Sequence, residues 1–220
     1  KASRLIGLPF VVLPATATAK ARDPVVIFTG GPGPSSLRVV ADIPAEDLQQ
    51  FPLRQQRDVI VMTQRGTDLT APQSLDCNEL VLDFAAGERF ASEQAVIDAA
   101  TACRDRLLAA GAKLGHYTTK AIARDMEDLR LLLGAERGFG AWNIVGSSYG
   151  SKLAQAYVRD MPHGVRSVVY DGPSPLNDRD LYYAGQLDAL GNIIDACNAE
   201  ADCAAAYPDL RTRFAAAIER

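Results

Sequence analysis

Apolar positions fall in two rhythms along this chain. Residues 25–28, 59–62, 142–145 and 165–170 are short runs, apolar on nearly every residue and rich in β-branched side chains. A strand with one face in water alternates in polarity, so a run that does not alternate predicts a strand covered on both faces, as in a parallel sheet. Residues 4–13 add a candidate edge hairpin strand, because Pro9 and Pro14 withhold ladder donors and suit only an edge. Between these runs the rhythm is helical. Residues 119–133 place Ile122, Met126, Leu129 and Leu133 on one face, with Thr118 or Thr119 as a cap and Gly134 as the stop. Residues 150–161 gather Leu153, Ala154, Tyr157, Val158 and Met161 on one side and end before Pro162. Residues 92–110 and 180–199 also read as helices. Strands alternating with helices of this length predict right-handed βαβ units, hence an α/β fold with a mostly parallel sheet and helices on both faces.

Composition narrows the function classes. The chain has 23 Lys and Arg against 27 Asp and Glu, a net charge of −4. That balance argues against nucleic acid or an anionic membrane surface as a partner, since both need basic patches. Hydrophobic residues at 48% and charged residues at 23% are those of a globular protein, which excludes disorder. No apolar run approaches the roughly 18 residues of a membrane span. The longest candidate, 5–13, is broken by Gly7 and Pro9. The same interruption denies the first residues the pattern of a signal peptide, a state that a signal already removed would also leave.

The four cysteines fall as two local pairs, Cys77 with Cys103 and Cys197 with Cys203. An even, paired count fits a disulfide framework and hence a periplasmic or secreted protein. The alternative is that Cys103, on the apolar side of a predicted helix with Val96, Ala100 and Leu107, packs as a small hydrophobe with a free thiol. Neither CxxC spacing nor a nearby His accompanies Cys197 and Cys203, so no metal is expected, and no motif asks for a cofactor.

Chemistry concentrates at Gly146-Ser147-Ser148-Tyr149-Gly150, between a predicted strand and a predicted helix. At such a junction two glycines relieve crowding in a sharp turn that projects Ser148 above the sheet, near the helix N-terminus, with the Tyr149 amide aimed at a developing oxyanion. The bland alternative is a glycine-rich turn with an idle serine. A second signal follows the run 25–28, where the chain reads Thr29-Gly30-Gly31-Pro32-Gly33-Pro34. Glycines there let backbone amides approach a bound group, as a second oxyanion donor must. A phosphate loop would close with Lys and Ser or Thr, which this one lacks.

Taken in order, TGGPG, TQRGT at 63–67, GSSYG at 146–150 and VVYDGPSP at 168–175 resemble the α/β-hydrolase family of proline iminopeptidases and tripeptidyl aminopeptidases, over residues from about 25 to 210. The usual first motif of that family is HGGPG, where Thr29 stands in for His, and the third is usually GGSYG, where Ser147 stands in for Gly. The resemblance implies that Ser148 is the nucleophile, that Gly31 and Tyr149 supply oxyanion amides, and that the substrate is the N-terminal part of a peptide. CNAEADCAAAYPDL resembles the segment leading into the family's cap, so 1–178 reads as the N-terminal part of the core and 179–220 as the start of a helical cap. Arg65 suits either a substrate carboxylate or a structural tie between loops. Asp171, at the end of the fourth run, is either a triad acid or a loop-bracing carboxylate, since this family takes its acid from the next strand.

A triad on this fold runs Ser, acid, His along the chain. The two histidines fit poorly. His163 follows the helix leading away from Ser148, and His116 precedes the serine, where a surface loop is its simpler role. A sheet ending at 165–170 would leave an apolar unpaired edge, and a periodic helical pattern from near Pro208 breaks off at Arg220. These three features lead to the expectation that the triad acid and His, the last strands and most of the cap belong to a C-terminal half of the same protein. The expected activity is a serine exopeptidase working through an acyl-enzyme on Ser148. The alternatives are a carboxylester hydrolase, or a catalytically silent half that serves as a folding or binding module.

Overall fold

The apolar runs form the strands of one sheet in the computed structural model, which describes residues 5–33, 36–72, 74–81, 90–176 and 181–218. The strands are β1 (Phe10–Leu13), β2 (Val25–Phe28), β3 (Val59–Met62), β4 (Trp142–Ser147) and β5 (Val165–Asp171), in the spatial order β1-β3-β2-β4-β5. β2 to β5 are parallel, and β1 alone runs antiparallel. β1 lies at an edge, bounded by Pro9 and Pro14, but it pairs with β3, Phe10 opposite Met62 and Leu13 opposite Val59. It therefore forms no hairpin with β2, its neighbour in sequence.

Helices α1 (Ser36–Ala41), α2 (Ala45–Gln50), α3 (Glu93–Ala109), α4 (Thr119–Arg137) and α5 (Tyr149–Asp160) accompany the sheet. α4 and α5 bury Ile122, Met126, Leu133, Leu153 and Tyr157 against Val26, Phe28, Trp142 and Ile144 on one face. On the other face Leu37, Val40, Phe51 and Leu53 pack over Val25, Val59 and Val61. β3, covered on both faces, is buried along its length. β5 departs from the expectation of two covered faces: Val168 packs into the first core, whereas Val169 and Tyr170 are 56% and 42% exposed. Its only strand neighbour among the described residues is β4.

α4 continues past Gly134, the expected stop, to Arg137. Gly138 ends it by taking φ 68°, a left-handed conformation natural to glycine, and its N–H bonds the Gly134 carbonyl. At the other end the Thr118 side chain accepts from the Ala121 N–H, so Thr118 is the cap. α1 and α2 were not legible, because six-residue helices are too short to show a period. Cys77 and Cys103 form a disulfide across 26 residues, with Cys103 buried beside Leu107 and Ala112.

Contacts divide the chain into two units, Lys1–Leu176 and Asn177–Arg220. The boundary expected at 178/179 falls outside the described residues. The second unit holds α6 (Leu181–Ala199), α7 (Ala201–Ala206) and α8 (Leu210–Ile218). A disulfide between Cys197 and Cys203, six residues apart, joins α6 to α7. The Glu200 carboxylate caps α7 by accepting from the Asp202 and Cys203 N–H groups. Asp180, the expected start of the α6 helix, lies outside the described residues. No helix among the described residues is long and apolar enough to cross a membrane.

Candidate active site

Ser148 joins β4 to α5 with φ 51° and ψ −121°. A non-glycine residue held there carries about 1–3 kcal/mol of backbone strain, which persists only where the surroundings enforce it. The flanking glycines show the enforcement. A Cβ on Gly150 would stand 1.8 Å from the Phe28 carbonyl oxygen, and one on Gly146 would stand 2.6 Å from the Gly150 carbonyl oxygen. The G-x-S-x-G spacing is thus the steric requirement for passing α5 across the end of β2. Ser148 stays exposed at the apex, and its own N–H donates to the Asp171 carbonyl at 2.9 Å.

Below the apex, Ser151 is fully buried and its hydroxyl donates to the Ser148 carbonyl at 2.6 Å while accepting from the Ser174 N–H at 2.8 Å. Tyr149 opens α5, where an amide has no partner within the helix, and its phenol lies 3.0 Å from the Thr119 hydroxyl. The glycine loop faces the apex from β2. A Cβ built on Gly30 would sit 3.1 Å from Ser148 Cβ, a tight approach, and 3.6 Å from its Oγ, an ordinary contact distance. Gly31 follows with φ 106°.

Two polar side chains hold this loop. Thr29 Oγ1 is hydrogen-bonded to the buried Ser36 hydroxyl, and Gln64 Nε2 donates to the Thr29 carbonyl at 3.1 Å. Sequence reasoning missed Ser36, Gln64 and Ser151. The signal for Gln64 was a polar residue two positions beyond an apolar strand, inside a motif weighed only for Arg65.

Arg65 resolves as a tie between loops. Its Nε and Nη2 reach both carboxylate oxygens of Asp125 on α4, at 2.7 and 2.5 Å, and Nη1 donates to the His116 carbonyl at 2.8 Å. The bonds to Asp125 outweigh burial and hold the guanidinium charged. His116 thus enters through its backbone. His163 sits in the turn beyond the twelve-residue α5, its ring 3.2 Å from the Glu127 carboxylate. Asp171 accepts from the Ser147 hydroxyl at 3.1 Å. Among the described residues no hydrogen bond joins either histidine to Ser148 or to Asp171. The arrangement therefore offers an exposed hydroxyl, a helix N-terminus and a facing glycine loop: the parts for receiving a carbonyl carbon and its oxygen.

Known proteins resemble this chain in sequence. The tripeptidyl aminopeptidase of Streptomyces coelicolor is 29% identical over 183 residues, covering 79% of this chain and 32% of that protein. Serine protease Hip1 of Mycobacterium tuberculosis is 26% identical over 205 residues, covering 85% of this chain and 37% of that protein. The chain thus spans about a third of the length of the curated relatives it matches. Among solved structures, a marine microorganism esterase aligns with TM-score 0.41 and 15% identity over 76% of this chain and 41% of its own. The α/β-hydrolase fold family matches residues 23–211, from just before β2 into the first turn of α8, and the chain belongs to that family.

Proposed function

We propose that this chain carries the nucleophile and oxyanion site of a serine exopeptidase that removes amino acids or short peptides from peptide N-termini. The observation that supports it most is Ser148 held at positive φ by two glycines that admit no side chain, with Gly30 lying against its hydroxyl. In this reading Ser148 Oγ attacks the scissile carbonyl carbon and its proton passes to a histidine base. The carbonyl oxygen becomes an oxyanion held by the Gly31 and Tyr149 amides. The carbonyl then re-forms as the C–N bond breaks and the amine leaves with the proton, and water releases the acyl group from Ser148. The base and its acid come from residues of the same protein outside these 220. The placement of His163 beyond α5 and the backbone role of His116 support that assignment. The peptide substrate follows the names of the relatives, tripeptidyl aminopeptidase above all.

A fluorophosphonate probe with peptide mapping tests the nucleophile in the full-length protein. Ser148 is expected to label, and labelling is expected to survive His116→Ala. Loss of labelling in His116→Ala would instead place the base inside this segment. A panel of tripeptidyl and aminoacyl arylamides beside short-chain esters tests the substrate class. Turnover of esters with no amide cleavage would replace the peptidase by a carboxylester hydrolase, and no turnover with no labelling would leave a silent binding half.

A further inference from the structure

Gln64 lies just past the end of β3 and is 4% exposed, yet it is neutral, polar and outside the elbow. Its Nε2–H donates to the Thr29 carbonyl, the last peptide before a run of glycines. A peptide group is planar, so holding the Thr29 carbonyl holds the whole Thr29–Gly30 plane. That plane is confined elsewhere as well. A Cβ on Gly150 would stand 2.8 Å from the same carbonyl oxygen, Gly30 lies against Ser148, and the Thr29 hydroxyl is bonded to Ser36. Beyond it the chain holds little torsional preference of its own, because glycine takes left- and right-handed conformations alike, and Gly31 sits at φ 106°. Because these glycines supply no preference of their own, the approach of the Gly31 amide depends on the contacts that anchor the loop, and the Gln64 bond to the Thr29 carbonyl is one of them.

We propose that Gln64 is a positioning residue for the oxyanion site: its amide N–H, bonded to the Thr29 carbonyl, sets the loop plane from which the Gly31 amide meets the oxyanion on Ser148 adducts. The proposal rests on the reading of Ser148 as nucleophile. Its effect belongs to the transition state, because a bond to that oxygen strengthens only as charge develops there.

The test uses the full-length protein and two variants. Gln64→Met keeps length and bulk but has no donor; Gln64→Glu donates to Thr29 only while its carboxyl is protonated. With Gln64→Met, kcat on a peptide arylamide is expected to fall about tenfold to a hundredfold, with KM within about twofold. Affinity for a peptide trifluoromethyl ketone, which forms a tetrahedral adduct, is expected to fall by the same factor. With Gln64→Glu, the deficit relative to wild type is expected to shrink as pH is lowered, while the Gln64→Met deficit stays constant with pH. A merely structural role would not produce that difference. Unchanged kcat in Gln64→Met, a raised KM at unchanged kcat, or a pH-independent deficit in Gln64→Glu overturns the proposal. If Gln64→Met does not fold, the pH dependence of Gln64→Glu decides alone. Full activity in Ser148→Ala would overturn the nucleophile reading itself, whereas an inactive Ser148→Ala beside a normal Gln64→Met overturns only the role of Gln64.

Discussion

A methyl group at position 150 has nowhere to go, since its carbon would stand 1.8 Å from the Phe28 carbonyl oxygen and 2.8 Å from that of Thr29. Both obstacles are backbone, so relief requires α5 to lift from the end of β2. Gly150→Ala is expected to destabilise by about 3 kcal/mol or more, at the upper end for overpacked sites. Gly115→Ala, with nothing within 4 Å of the added carbon, serves as the near-neutral control. Denaturant midpoints measure both, and equal midpoints would refute the steric account of the elbow. The serines divide differently. Ser147 contributes a 3.1 Å bond to Asp171 at an exposed position, of the kind worth about 1 kcal/mol or less, so Ser147→Gly is expected to retain most activity in the full-length protein. On the proposed reading Ser148→Ala removes the attacking atom and is expected to lower kcat by about 10⁴-fold or more. Steady-state kinetics of the pair check this, and equal losses would mean that the wrong serine has been assigned.

Helix α4 is held from two directions by ionic groups that its own periodicity does not reveal. Toward β3, Asp125 receives Arg65, both largely buried. Removing one member strands the other charge, a loss of about 3–5 kcal/mol. Arg65→Met is therefore expected to lower Tm by thermal denaturation, and to leave KM of the surviving folded enzyme unchanged, because the guanidinium is engaged with Asp125 and His116. Toward α5, Glu127 accepts from Arg130, from the Tyr157 hydroxyl at 2.5 Å and from His163. Burial opposes its ionisation, but the bonds from Arg130, Tyr157 and His163 together outweigh burial and hold the carboxyl down to about 2. A carboxyl depressed in the folded state stabilises above its unfolded value, 4.5, and that contribution drains away as pH falls toward about 2. Between those limits wild type is expected to lose stability with acid more steeply than Glu127→Gln. Urea melts across that range provide the measurement, and parallel curves would show that the cluster is not coupled to folding.

At the scale of the molecule, two disulfides brace different units. Cys77–Cys103 closes 26 residues and Cys197–Cys203 closes six. If loop closure in the unfolded chain governs the benefit, the longer bridge contributes more, within about 2–4 kcal/mol for typical disulfides. Replacing Cys77 and Cys103 together by Ala is expected to lower the denaturant midpoint more than replacing Cys197 and Cys203. The reverse order, measured on the full-length protein, would place the greater constraint in the short helical turn. The sheet itself is uneven. β3 is enclosed, while β5 shows Val169 and Tyr170 to solvent. Among the described residues β5 has a strand partner on one side only, β4.

Sequence alone determined what a few neighbouring residues can enforce. Non-alternating apolar runs became the strands of one sheet, β3 wholly enclosed and β5 partly exposed, and Thr118 and Ser92 capped α4 and α3 through bonds three residues long. The elbow was legible for the same reason, since Gly146 and Gly150 answer crowding created by the turn and by the strand it passes. Tertiary structure decided whatever depends on partners far along the chain. Asp125, 60 residues from Arg65, made that arginine a structural tie, and Gln64 became part of the candidate site by reaching Thr29, 35 residues away. The spatial order β1-β3-β2-β4-β5, the pairing of β1 with β3 and the exposure of β5 were equally hidden. A local pattern records which face of an element is apolar, but what meets that face is settled only when distant segments close on it.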